Sequence, residues 1–173
     1  MKNKKVLYLT QAAMIAALYV VLTLLANALG LASGSIQVRF SEALTVLPFL
    51  TPAAIPGLFI GCLLANFVTG ALLPDIIFGS LATLIGALGT WALGRLLVKR
   101  PEKKMLLTWL SPLPPIIANG LIIPPVLKYA YGVIPMWLSA VTVTAGEIIS
   151  CGVFGLILLF SLKRYKNQLF PVD

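Results

Sequence analysis

The sequence predicts an all-α, polytopic membrane protein, and three observations lead there. Of its 173 residues 60% are hydrophobic, 10% are charged, and the mean hydropathy is +1.01. A soluble domain carries about 25% charged residues. Val6 to Ala32 and Ile76 to Val98 are apolar runs of more than 20 residues with at most one charge, and about 20 residues cross the ~30 Å hydrocarbon core of a bilayer. Finally, the basic residues flank the apolar runs rather than forming one surface.

That last pattern also explains the net charge of +8. Lys2, Lys4 and Lys5 precede the first run, Lys99, Arg100, Lys103 and Lys104 share one short connection, and Lys163, Arg164 and Lys166 follow the last run. Basic clusters beside spans mark the cytoplasmic side, so the charge reports topology and no nucleic-acid partner is expected. The small-x-small triplet Ala26-Asn27-Ala28 imitates a signal-peptide cleavage site, but the apolar run before it exceeds the usual 7–15 residues. It is expected to be a retained first span.

Clear spans are residues 6–31, 75–98, 105–127 and 135–162. Between Ser41 and Gly70 the chain is ambiguous, because Pro48, Pro52 and Pro56 interrupt it and proline breaks or kinks helices. One span there would put the Lys99–Lys104 cluster opposite the N-terminal lysines. Two spans, broken near Thr51-Pro52, put all three basic clusters on one side, and charge bias selects two. The first of them, residues 36–51, would reach only about 24 Å as an α-helix, so it is expected to be short, tilted or partly exposed at its outer end. The result is one domain, residues 1–173, of six helices with both termini cytoplasmic. Residues 32–38 form an outer loop, and their Ser33-Gly34-Ser35 core suits a flexible lid. Pro124-Pro125 and Gly132 are expected at another outer turn, and Pro112, Pro114 and Pro115 make the fifth span irregular.

In this topology the strongly polar side chains collect in the outer half. Arg39 and Glu42 start the second helix, Asn66 lies about a turn below the outer end of the third, and Asp75 opens the fourth. Asn119 lies two turns down the fifth. Glu147 is about 12 residues down the sixth, near mid-membrane at about 1.5 Å per residue. Charges in hydrocarbon persist where they pair, line a water-filled cavity or hold a polar ligand. Arg39 and Glu42 also suit a local ion pair, Asp75 a helix start, and Asn66 and Asn119 interhelical hydrogen bonds. Glu147 resists any such reading, since no basic residue reaches its depth. The inner half is apolar apart from Arg95, which can snorkel to the surface, so the pattern describes a cup open outward.

The first helix carries two parallel rows of small residues, Ala12/Ala16 and Ala13/Ala17, and such rows let another helix approach closely. Cys62 and Cys151 lie in apolar segments and suit packing. The chain has no histidine, no Walker A sequence and no GxSxG elbow. Neither catalysis, nor a metal site, nor a cofactor is expected.

Three blocks and a pair carry a resemblance. They are Ile36-Gln37-Val38-Arg39-Phe40-Ser41-Glu42-Ala43-Leu44, the Pro48–Gly61 stretch Pro-Phe-Leu-Thr-Pro-Ala-Ala-Ile-Pro-Gly-Leu-Phe-Ile-Gly, Leu73-Pro74-Asp75-Ile76-Ile77-Phe78-Gly79-Ser80-Leu81-Ala82-Thr83-Leu84-Ile85-Gly86, and Gly146-Glu147. Through them essentially the whole chain resembles the queuosine-precursor family of substrate-binding S components of energy-coupling-factor (ECF) transporters. The resemblance implies a six-helix bundle of the ECF S-component type in a bacterial cell membrane, enclosing its ligand at the outer face. It implies a coupling module of one membrane protein and two ATPases, met by an Ala-x-x-x-Ala motif that carries over onto Ala12/Ala16 or Ala13/Ala17. The implied cargo is a 7-deazaguanine. The residues suit that cargo: one carboxylate can accept both N–H donors of a guanine-like edge, and Asn side chains can serve the carbonyl and ring nitrogens. The substrate-binding candidates are therefore Glu147, Asn119, Asp75, Asn66, Arg39 and Glu42. A proton-coupled secondary transporter using Glu147, or a structural membrane subunit, remain the alternatives.

Overall fold

A computed structural model describes residues 4–31 and 38–170, and these are helical with no strand among them. The first helix, α1 (Lys4–Ala28), buries Gln11, Ala12, Ile15, Ala16, Tyr19, Thr23 and Ala26. Their spacing of one, three or four residues is that of a single helical face. The opposite face shows Leu9, Met14, Leu18, Val21 and Leu25, which suits contact with lipid.

The second helix, α2 (Phe40–Phe49), is a 3₁₀ helix, and Ser41 through Phe49 are all buried. At about 2.0 Å per residue its ten residues reach roughly 20 Å. Of the expected alternatives, the segment is short, but its outer end is enclosed rather than exposed. Bundle packing explains this: α2 stands inside the ring, with α1, α4 and α6 against it, and never meets lipid. Glycines allow that approach. A Cβ at Gly94 would stand 2.7 Å from the Phe49 carbonyl oxygen, and one at Gly155 would stand 2.9 Å from Val46 Cγ1.

After the Thr51-Pro52 break comes α3 (Ala54–Val68), so the stretch does form two helices. Gly57 and Gly61 press α3 onto α1: added Cβ atoms there would stand 2.7 Å from the Ala12 carbonyl oxygen and 3.0 Å from Ala16 Cα. The glycines at i and i+4 thus receive the Ala12/Ala16 row. Ala13 and Ala17 stay exposed on the outside of α1. The two rows that look alike in sequence have different surroundings.

The fourth helix, α4 (Leu73–Lys99), has Pro74 in its first turn, where the missing N–H is harmless. It packs on α3 and on α5 (Pro101–Tyr131). As expected, α5 is irregular at its prolines, with a turn at Ser111-Pro112. Pro124 and Pro125, expected at a turn, lie instead inside the helix. Pro125 breaks the hydrogen-bond ladder within a packed bundle, where such losses are tolerated. The turn comes at Gly132, whose φ of 68° closes the helix with Gly132 N–H bonded to Lys128 O and Val133 N–H to Leu127 O. Positive φ favours glycine.

The sixth helix, α6 (Met136–Lys163), loosens into a π-turn over Ile148–Phe154, directly after Glu147. A short α7 (Lys166–Leu169) follows. Four of these helices, α1, α4, α5 and α6, are long and apolar enough to cross a membrane, whereas α2 and α3 are shorter. The chain is an all-α, multi-pass membrane protein. The expected lid, residues 32–38, lies outside the described residues except for Val38.

Candidate functional site

Six helices and Arg39, the residue just before α2, aim polar groups at one region. Glu42 hangs from the first turn of α2, fixed by the burial of that whole helix. Its Oε1 accepts a hydrogen bond from the Tyr19 hydroxyl of α1, which the Gly61 contact presses inward. Its Oε2 is buried without a partner. Arg39, expected as the local partner of Glu42, lines the same cavity and attracts its carboxylate electrostatically.

Glu147 comes from α6 at its junction with the π-turn. Cys151 lies one helical turn on from Glu147, and its Sγ donates to Glu147 Oε2 at 3.0 Å. The same sulfur lies 3.3 Å from the Glu42 carbonyl oxygen and 3.2 Å from Thr45 Oγ1. Expected as a packing residue, Cys151 instead joins the two acidic helices. One ligand atom each from Glu42, Glu147 and Cys151 fall within 4.8 Å of one another. Such a group can share N–H donors, a proton or a cation. Asn119 of α5 sits near Glu147, but its Nδ2 is buried outside hydrogen-bond geometry.

Asp75 begins α4. Its Oδ2 accepts from the Tyr131 hydroxyl at 3.2 Å, and Tyr131 accepts from the Leu72 N–H at 3.0 Å. Asp75 Oδ1 is buried and unpaired. Asn66 of α3 points its Nδ2 toward the Asp75 carbonyl at 3.5 Å. Both side chains converge over Gly79: a Cβ there would stand 3.1 Å from Asn66 Nδ2 and 3.4 Å from Asp75 Oδ1.

These groups surround two adjoining spaces. The inner one is lined by Arg39, Glu42, Gly79, Thr83, Asn119, Ile123, Val143 and Glu147, and offers about 20 Å³ to the centre of a water-sized sphere. That suffices for little more than a water molecule. The outer one, about 350 Å³ by the same measure, includes Thr23, Asn27, Asn66, Asp75 and Tyr131. Arg39 and Ile123 line both and form the waist between them. Larger grooves exist, such as that between α4 and α5 beside Gly89 and Pro114. That one is apolar and suits contact with lipid, whereas another, of about 690 Å³, is lined by Glu102, Lys104, Lys163 and Arg164 at the basic end of the bundle.

All six candidate side chains thus border one of the two spaces. Tyr19, Thr83, Cys151 and Tyr131 were missed. Tyr19 had a signal in the sequence, as the hydroxyl on the same α1 face as Ala12 and Ala16. Cys151, four residues after Glu147, had one too, in its helical spacing.

A family model described as QueT transporter matches residues 9–164. A relative from Lactococcus lactis subsp. cremoris (strain MG1363), "Queuosine precursor transporter QueT", is 36% identical over 85 residues, covering 49% of this chain and 50% of that protein. The match spans about half the length of that curated relative. No solved structure matches the chain.

Proposed function

The chain belongs to the QueT transporter family, and we propose that it captures a queuosine precursor, a 7-deazaguanine, from outside the cell. In this reading it is the substrate-binding S component of an ECF importer, held in a bacterial cell membrane with both termini cytoplasmic. It hands its cargo to a coupling module of one membrane protein and two ATPases.

The supporting observation is the set of buried carboxylate and amide atoms without hydrogen-bond partners around the two adjoining spaces: Glu42 Oε2 and Asn119 Nδ2 at the inner one and Asp75 Oδ1 at the outer one. Buried polar atoms in folded proteins are nearly always paired, and here the missing partners are those a guanine-like edge supplies. Adjacent ring and amino N–H groups donate to carboxylate oxygens, and the ring carbonyl accepts from the amide. The Glu147 carboxylate takes the N–H edge. The inner cavity is smaller than a bicyclic base, so Arg39 and Ile123 separate as the ring enters. Side-chain rearrangements of this kind are common on binding.

The outward Ala13/Ala17 row supports docking of the coupling protein, because it leaves a small-residue surface on α1 that is exposed among the described residues. Ala12 and Ala16, the other candidates for that contact, are buried against α3 and are withdrawn from the role.

Gentle purification followed by mass spectrometry of the retained small molecule tests the cargo. A 7-deazaguanine is expected, and a solute without a purine-like donor edge would overturn the assignment. Recovery of two ATPases with the tagged chain tests the ECF role separately.

A further inference from the structure

We infer that the basic groove between the start of α5 and the end of α6 is a second binding site, which holds the headgroup of an anionic phospholipid. The inference goes beyond the proposed function. It needs the membrane setting, but neither the cargo nor the coupling module.

Two segments far apart in the chain build the groove. Lys104 comes from the start of α5, while Lys163 and Arg164 come from the end of α6 and the residue after it. Topology explains each basic cluster by itself, but it does not require them to converge on one space of about 690 Å³. Lys104 and Arg164 are exposed, and among the described residues none of the three cations forms an ion pair. Glu102 is the one acidic residue of the groove, so three cations against one carboxylate leave a net +2. Lys163 is fixed in place: its Nζ donates to Thr108 Oγ1 at 2.8 Å and stands 5.8 Å from the centre of the Phe49 ring. Lys104 is near enough to repel it. A phosphate between them relieves that repulsion, and the fork of the Arg164 guanidinium matches its oxygens.

The rest of the groove is apolar, which selects a lipid over a soluble anion. Met105 and Phe160 line it beside the cations. The Trp109 ring meets Phe160 edge to face, with centroids 5.6 Å apart. Met105, Trp109 and Phe160 are all exposed. Three and seven residues back along α6 from Phe160, Ile157 and Val153 continue an exposed apolar surface. A soluble anion has no use for that surface, whereas a phospholipid sets its phosphate among the cations and its acyl chains along the helix. Tryptophan is at home at this level of a bilayer, and basic pockets between transmembrane helices suit anionic headgroups.

The test is native mass spectrometry of the delipidated full chain, titrated with dioleoyl phosphatidylglycerol, dioleoyl phosphatidylcholine or glycerol phosphate. One phosphatidylglycerol is expected to bind about thirtyfold more tightly than phosphatidylcholine, the worth of two net charges. Glycerol phosphate, which has the charge without the chains, is expected to bind far more weakly. Lys104→Gln combined with Arg164→Gln should cut the preference to about threefold or less. Lys99→Gln combined with Arg100→Gln removes as much charge outside the groove and should preserve it. Equal loss in the two double variants would mean a diffuse basic surface and would overturn the site. Glycerol phosphate binding as tightly as the lipid would overturn the choice of occupant. Equal binding of the two lipids by the wild type also overturns the inference. Loss of co-purifying ATPases from the Lys104→Gln, Arg164→Gln protein would then assign the groove to the coupling module. Should that variant not fold, the wild-type comparison of the two lipids with glycerol phosphate decides alone.

Discussion

The two ends of the bundle treat their buried polar groups differently. Toward the basic Lys99–Lys104 connection they are paired within the protein. Thr90 Oγ1 donates to the Ser111 carbonyl at 3.0 Å, Ser111 Oγ to the Thr108 carbonyl at 2.7 Å, and Lys163 Nζ to Thr108 Oγ1 at 2.8 Å. Gln11 Nε2 likewise donates to the Leu169 carbonyl at 3.1 Å. Around them Val46, Phe49, Leu50, Leu107 and Leu159 close an apolar core. Toward the other end, Glu42, Asp75 and Asn119 each keep a buried atom without a partner. Polarity alone therefore does not mark the site; both ends bury hydroxyls and amides. Unpartnered carboxylate and amide atoms mark it, since the other two unpartnered buried atoms among the described residues, Ser139 Oγ and Ser150 Oγ, are hydroxyls outside the two spaces. Leaving a buried group unpaired costs about 1–3 kcal/mol unless a ligand supplies the bond.

The comparison predicts that substitutions at the closed end change stability, whereas those at the open end change affinity. The largest effect is expected where helices touch most closely. Replacing Ala12 and Ala16 together with Leu drives side chains into Gly57 and Gly61, and overpacking costs about 1–3 kcal/mol per site. Monodisperse protein in size-exclusion chromatography should largely disappear. The matching Ala13→Leu, Ala17→Leu pair, on the exposed row, should keep the fold and ligand binding while ATP-driven uptake falls. Normal uptake by that second pair would remove the docking role.

A smaller effect is expected at Gly79. A methyl group there pushes on Asn66 Nδ2 and Asp75 Oδ1, at 3.1 and 3.4 Å. Gly79→Ala should weaken ligand binding by about fivefold, the worth of roughly one hydrogen bond, with little change in melting temperature. A melting temperature that drops while affinity holds would reverse the assignment of ends.

The smallest is Thr90→Val, which removes the bond to Ser111. It should lower the melting temperature by about 2–4 °C, the shift for about 1 kcal/mol in a chain of this size. Ligand affinity measured by calorimetry should not move. A tenfold affinity loss would mean that the closed end communicates with the site.

Much of this architecture was legible in the sequence, for identifiable reasons. Hydrocarbon demands long apolar runs, so α1, α4, α5 and α6 announce themselves within a few residues of their ends. Buried charge is costly, so Glu147 and Asp75 stood out before any contact was known. The 3₁₀ winding of α2 was not legible, because it depends on neighbours enclosing the segment on all sides. Pro124-Pro125 misled, since a rule for isolated helices does not weigh the packing that keeps this one intact. The alanine rows had equal spacing, and only Gly57 and Gly61 on another helix separate them. The Glu42–Tyr19 bond depends on the approach of two helices, which residue types alone do not disclose, whereas the Glu147–Cys151 bond was open to reading from its i, i+4 spacing.

The central claim is that the carboxylates around the two spaces recognise the cargo, with Glu147 taking its N–H edge. The most direct measurement is the affinity of Glu147→Gln for 7-deazaguanine, with circular dichroism and melting temperature confirming an intact fold. Replacing one carboxylate oxygen by an N–H₂ donor should cost about 2–3 kcal/mol, or roughly 30- to 150-fold in affinity. A folded Glu147→Gln protein that binds as tightly as the wild type would contradict the account.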